Sequence, residues 1–153
     1  MTAETTGDVQ FMREAIQAAR KAERSGEVPV GAVVVVGGEI VSRGWNQPLA
    51  QNDPTAHAEI VALREAAAKL GNYRLDGAVL YSTMEPCIMC AGALVAARVS
   101  RLVFGARDLR FGGVRSKFQL ADSDVLNHRL EIVEGVLGAE SVEMLRAFFE
   151  ARR

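Results

Sequence analysis

At 153 residues, 49% apolar and 24% charged, the chain suits a single soluble domain, residues 1–153, with an enclosed core. No apolar run nears the roughly 20 residues that cross a bilayer, and the polar stretch from Met1 to Val9 lacks the layout of a secretory signal, so no membrane partner and a cytoplasmic location are expected. A net charge of -1 speaks against indiscriminate nucleic-acid binding, and two cysteines make no disulfide framework; in a reducing compartment they point to metal or redox chemistry.

From Asp8, read as a cap, to Ser25 the positions Met12, Ile16 and Ala19 repeat at helical spacing, and Gly26 stops the helix. Val30 to Val36 reads as a buried strand, Gly37-Gly38 as a two-residue hairpin turn, and Ile40 to Gly44 as the returning strand. Trp45 to Pro54 reads as a polar loop. Thr55 is placed as the cap of a second helix, whose inward face carries Ile60, Leu63, Ala67 and Leu70 and which ends at Gly71-Asn72. Val79 to Met84 is a strand, and Pro86 is placed at the first position of a third helix rich in small residues. Leu102 to Gly105 is a further strand, so strand, helix and strand imply a parallel crossover. Arg107 to Asp124 reads as a glycine-bearing loop, Leu130 to Val133 as the last strand and Ala139 to Ala151 as the last helix. The expected fold class is α/β, a three-layer α/β/α sandwich.

Charge is unevenly spread. Arg98, Arg101, Arg107, Arg110, Arg115 and Lys117 stand against one acid, Asp108, while the segment beyond is acidic. The first stretch is the candidate for a local basic face.

Two short motifs carry chemistry: His57-Ala58-Glu59 and Pro86-Cys87-Ile88-Met89-Cys90. Cysteines at i and i+3 of a helix point the same way and can reach one ion. Cys87, expected in the first helical turn, gains a bias toward thiolate from the unpaired N–H groups there. Zinc suits two sulfurs and an imidazole, and three protein ligands, His57, Cys87 and Cys90, leave the fourth tetrahedral position for water. Each motif alone is weak. Together they form the signature known for zinc nucleobase deaminases, His-x-Glu with Pro-Cys-x-x-Cys.

Two thiolates make the bound water less acidic than at an all-histidine site, where its pKa is about 7, so an added base is needed. Glu59 is the candidate. The expected reaction is hydrolytic deamination, with zinc-bound hydroxide attacking the amine-bearing ring carbon and Glu59 shuttling protons. The blander readings are a closed structural site with His128 as fourth ligand, a redox cysteine pair, and a solvated Glu59 near a helix start. Against the first, His128 sits in the polar run Asn127-His128-Arg129, and a closed site would leave Glu59 idle.

Beyond these motifs, Glu27-Val28-Pro29-Val30-Gly31-Ala32, Gly44-Trp45-Asn46, Asp53 to Glu59, Asn72-Tyr73-Arg74-Leu75, Glu85 to Ala93, Val103 to Asp108 and Asn127-His128-Arg129 resemble the bacterial tRNA-specific adenosine deaminases, of the cytidine deaminase-like superfamily, over nearly the full chain. The resemblance implies a five-stranded mixed sheet, one Zn2+ per subunit, a homodimer, and conversion of adenosine to inosine at the first anticodon (wobble) position of tRNA, usually an arginine tRNA. It implies that Asn46 and the backbone of Ala58 touch the target base and that Asp108 lies near its ribose, with Arg107 beside it in the substrate site. The base must be splayed out of the anticodon loop. The chain departs from the small-residue pattern of many family members at Phe111-Gly112-Gly113-Val114-Arg115-Ser116-Lys117, where Arg115 and Lys117 would suit phosphates.

Near the C-terminus, Phe149 and Arg152 are candidates to meet anticodon-loop bases and phosphates. The competing reading, preferred for Phe149, puts it on a core stripe with Val142 and Leu145. Two rival functions stand beside tRNA editing. A deaminase of a free base or nucleoside, such as guanine or cytosine, would use the same zinc and Glu59 in a closed pocket. A non-catalytic, zinc-stabilised RNA-binding module would have no use for Glu59.

Overall fold

The computed structural model describes residues 7–153; residues 1–6, the first part of the polar stretch from Met1 to Val9, lie outside the described residues. Ten elements follow in chain order: α1 (Asp8–Arg24), β1 (Gly31–Val36), β2 (Glu39–Trp45), α2 (Pro48–Gln51), α3 (Ala58–Leu70), β3 (Val79–Met84), α4 (Ile88–Ala96), β4 (Arg101–Ala106), β5 (Glu131–Glu134) and α5 (Gly138–Glu150). The five strands form one mixed sheet in the order β2-β1-β3-β4-β5. β1 pairs antiparallel with β2 and β3, while β3, β4 and β5 run parallel.

Strand alternation distributes the core over both faces. Ala32 and Val34 of β1, with Leu102 and Phe104 of β4, pack under α3 and α4. Val33, Val35 and Val103 face the other way, toward Met12 and Ile16 of α1 and Met144 of α5. This is the α/β/α sandwich. Gly37 and Gly38 both have positive φ, as a primed hairpin turn demands. Gly44 matters for the site: a Cβ there would meet the Ala58 carbonyl oxygen at 2.4 Å, so its absence lets the first turn of α3 lie directly on β2.

Several local expectations are corrected. Asp8 does not cap α1. The N-cap is Gly7, and the Asp8 carboxylate is buried, accepting from the Tyr81 hydroxyl at 2.7 Å and from Arg101 at 2.7 and 2.8 Å. A bidentate guanidinium outcompetes a capping bond here. Thr55 does not cap α3, because its hydroxyl donates to Asp53 and the N-cap is His57. Pro86 precedes α4, whose N-cap is Cys87 rather than a first-turn residue. The Trp45 to Pro54 loop contains the short helix α2. In α5 the inward stripe is Ser141, Met144 and Phe148, one position off from the expected Val142, Leu145 and Phe149. Among the described residues, no helix is long and apolar enough to cross a membrane.

Candidate active site

The sheet geometry brings the starts of α3 and α4 together. His57 and Cys87, the two N-caps, both have extended backbones, and each ends a loop that approaches its helix from the sheet. His57 Nδ1 lies 3.5 Å from Cys87 Sγ and 3.6 Å from Cys90 Sγ. Tetrahedral zinc, with bonds of about 2.3 Å to sulfur and about 2.0–2.1 Å to nitrogen, would separate those atoms by about 3.5–3.6 Å. The donor set therefore fits zinc in distance as well as in softness. Among the described residues, these are the His, Cys, Asp or Glu groups that cluster closely enough to hold an ion. His128 is elsewhere, its Nε2 2.7 Å from the Val99 carbonyl, so the closed four-ligand site fails.

The sulfurs are electrostatically unequal. Hydrogen bonding from the Cys90 thiol, against burial and with help from His57, pulls the Cys87 pKa down to about 4. The same bond and burial push Cys90 far above an ordinary thiol. The Cys87 bond in turn raises His57, with burial opposing. Zinc ligation takes both sulfurs as thiolates, so an ion held here would displace the thiol proton.

Glu59 is buried, with 4% of its surface exposed, in the first turn of α3. Burial pushes its pKa up to about 7, opposed by a backbone N–H and the nearby His57. A carboxyl balanced near neutrality can both take and give a proton.

His57, Glu59 and Cys87 line a cavity of about 580 Å³, whose walls also include Asn46 and Asp108. That size falls within the ordinary range of small-molecule sites. Asn46 Oδ1 accepts the Ala58 N–H at 2.9 Å, so Asn46 supplies the side-chain cap that His57 does not. Ala58 itself is fully buried behind it. Asp108 Oδ1 accepts from the N–H groups of Arg110 and Phe111, both at 3.1 Å, making a tight turn at the rim. Phe149 and Leu145 also line the cavity, which accounts for the half-exposed Phe149 ring. Arg107 and Arg152 are not brought into it. Arg107 is paired bidentate with Glu134, and Arg152 lies over the Phe148 ring at 3.5 Å, donating to the Phe148 carbonyl.

The expected basic face is largely consumed by pairing. Arg101 binds Asp8 and Glu131, Arg115 binds Asp122, and Arg98 donates to Asn127. Arg110 remains at the cavity wall.

Two organising residues escaped sequence reasoning. Glu85, at the end of β3, is buried and accepts from the N–H groups of Asp108, Val114, Arg115 and Ser116 and from the Ser116 hydroxyl. Those bonds hold its carboxyl below the usual range although burial opposes them. Gly112 lies against it; a Cβ there would sit 2.3 Å from the carboxyl carbon. Glu27, also buried, accepts from the N–H groups of Leu49 and Ala50 and pins α2. For the first, the sequence showed a glutamate before Pro86 inside a family-like segment, with nothing to give it a role.

Comparison with known proteins sharpens the reading. The family model of the cytidine and deoxycytidylate deaminase zinc-binding region matches residues 5–106, which include both metal motifs. A tRNA-specific adenosine deaminase from Haemophilus influenzae is 50% identical over 147 residues, 95% of this chain and 85% of the relative. The chain belongs to the cytidine and deoxycytidylate deaminase family, and within it to the tRNA-specific adenosine deaminases. A structure solved in a study of A-to-I editing by tRNA:A34 deaminases at the wobble position is 43% identical, with a TM-score of 0.86 over 89% of this chain and 99% of that one. A guanine deaminase from Bacillus subtilis is 41% identical but covers 64% of this chain and 63% of its own, with a TM-score of 0.61. The deaminase family match ends at Ala106, so the loop held by Glu85 lies beyond the shared zinc-binding region.

Proposed function

We propose that this protein hydrolyses adenosine to inosine at the first anticodon position of tRNA. One observation carries the chemistry: a buried glutamate poised to exchange protons lies in the first turn of the helix capped by a zinc-fitting ligand, at the wall of an accessible cavity. Identity of 50% along nearly the whole chain to a tRNA-specific adenosine deaminase, and of 43% to a structure from a study of tRNA:A34 deaminases, supports adenosine in tRNA over a free base.

His57, Cys87 and Cys90 would hold zinc, which would supply an activated water. The side chains then divide the work. A carboxylate oxygen of Glu59 accepts the proton released as water adds to the amine-bearing carbon of the purine. It passes that proton to a ring nitrogen, then takes the proton of the newly added hydroxyl and delivers it to the amine as the carbon–nitrogen bond breaks and the carbonyl forms, so that adenosine and water become inosine and ammonia. Asn46, with its oxygen committed to the Ala58 N–H, is oriented to offer amide N–H donors to an acceptor on the base. Ala58 acts through that bond. Asp108, at the rim, suits a ribose hydroxyl, while Arg107, Phe149 and Arg152 belong to the outer contact zone with the anticodon loop. A homodimer fits the exposed apolar groove between α3 and α4, lined by Ile60, Leu63, Ala67 and Tyr73.

The test uses purified zinc-loaded protein with anticodon stem-loops bearing adenine or cytosine at the first position, an arginine anticodon first, beside free adenosine, cytidine and guanine. Inosine and ammonia from the adenine loop alone are expected. Turnover of free guanine with none of the loop would instead favour the small-substrate reading, and ammonia from no substrate would leave the RNA-binding module.

A further inference from the structure

We propose that Phe111 is a specificity-determining residue: its ring is a fixed platform on which a nucleobase flanking the target adenosine stacks. The inference rests on the RNA reading above and adds a subsite to it.

Phe111 is 63% exposed yet lines the catalytic cavity. An exposed aromatic on a loose loop would mean little, but this loop is tightly held. The Phe111 and Arg110 N–H groups donate to Asp108, the Gly112 N–H donates to the Asp108 carbonyl, and the Gly113 N–H donates to the Pro86 carbonyl. The buried Glu85 carboxylate clamps the residues on either side, from Asp108 through Ser116. Gly112 and Gly113 press so closely on Glu85 and the start of α4 that a Cβ at either would come within 3 Å of their atoms. The Phe111 ring therefore stands in solvent because its backbone is fixed there, which is the preorganisation a binding aromatic needs.

The chemistry beside it selects the occupant. The Arg110 guanidinium lies 5.6 Å from the ring centroid and also lines the cavity. A largely exposed ring with a cation over one face suits a base stacked on the other face and its phosphate near the arginine. Once the target base enters the cavity, its neighbour is already unstacked and passes over the rim where Phe111 stands. Stacking is indifferent to base identity, so the platform favours single-stranded loops over free nucleosides.

The decisive experiment is a double-mutant cycle between protein and RNA. Wild type, Phe111→Ala and Phe111→Trp, each checked for zinc content and association state, are assayed on the stem-loop and on versions with an abasic residue on either side of the target. On the intact loop, Phe111→Ala should lose about 5- to 150-fold in kcat/KM, mainly through KM. That loss should disappear on one of the abasic loops, and Phe111→Trp should retain activity. An equal loss on all loops, no loss at all, or a change confined to the association state would overturn the platform. Wild type failing on every loop would instead sink the RNA reading, and the platform with it.

Discussion

Glu59 and Glu85 are the same residue in nearly the same burial, 4% and 3% exposed, on the wall of one cavity, yet their environments give them opposite work. Glu59 meets few donors, so burial dominates and lifts its pKa to about 7. Glu85 meets four backbone N–H groups and a hydroxyl, which outweigh burial and keep it charged. A buried carboxylate exchanges protons when it lacks donors and fastens loops when it is saturated with them. The site thus combines one reactive glutamate with one that fixes the substrate-facing loop.

The largest expected effect lies on the reactive side. Cys90→Ser should reduce zinc from about one per chain toward none, measured by elemental analysis, and abolish turnover. Where zinc stands 100-fold above its dissociation constant, its loss should remove about 3 kcal/mol of stability and about 6–12 °C of melting temperature. Full activity in Cys90→Ser would mean that the ion is held differently.

Glu85→Gln comes next. Its amide offers one acceptor where the carboxylate offers two oxygens, leaving buried N–H donors unpaired at a cost of about 2–4 kcal/mol in urea unfolding. Amide hydrogen exchange should rise between residues 108 and 116, and KM for the stem-loop should rise more than kcat falls. A fall in kcat like that of a proton-transfer mutant, with KM unchanged, would erase the distinction between the two glutamates.

The smallest effect belongs to Asp122, whose carboxyl is held below its usual range chiefly by hydrogen bonding from Arg115. Its depressed pKa means its contribution is present above the unfolded value and fades as pH falls through the lower folded one. Asp122→Asn should therefore cost less than about 1 kcal/mol near neutral pH, and progressively less as pH falls below the ordinary aspartate range, as read from unfolding curves at each pH. A cost independent of pH would show that the pair acts by packing rather than charge.

The same contrast explains what was legible in the sequence. His57 and Glu59, and Cys87 and Cys90, are close in sequence and each motif was readable from spacing, while the known zinc-deaminase signature joined the two. The strands were equally readable, because β-branched apolar runs and the Gly37-Gly38 turn are local signals, while the five-stranded mixed sheet came from the family resemblance. Glu85 was not readable, because its partners lie 23 to 31 positions away and are backbone groups without a residue signature. Asp8 misled for a similar reason: its partner Arg101 is 93 positions distant, and a local capping rule cannot see it. Phe148 and Phe149 are adjacent and point about 100° apart around α5, so the seating of that helix on the sheet decides which ring is buried and which faces the cavity.

Comparison of zinc-loaded wild type and Glu59→Gln on the adenine stem-loop tests the central claim most directly, with bound zinc and released ammonia measured on the same samples. The variant should keep its zinc and bind RNA as wild type does, while kcat falls by about 10²- to 10⁴-fold. Wild-type turnover in a zinc-replete Glu59→Gln would contradict the assignment of proton transfer to that carboxyl.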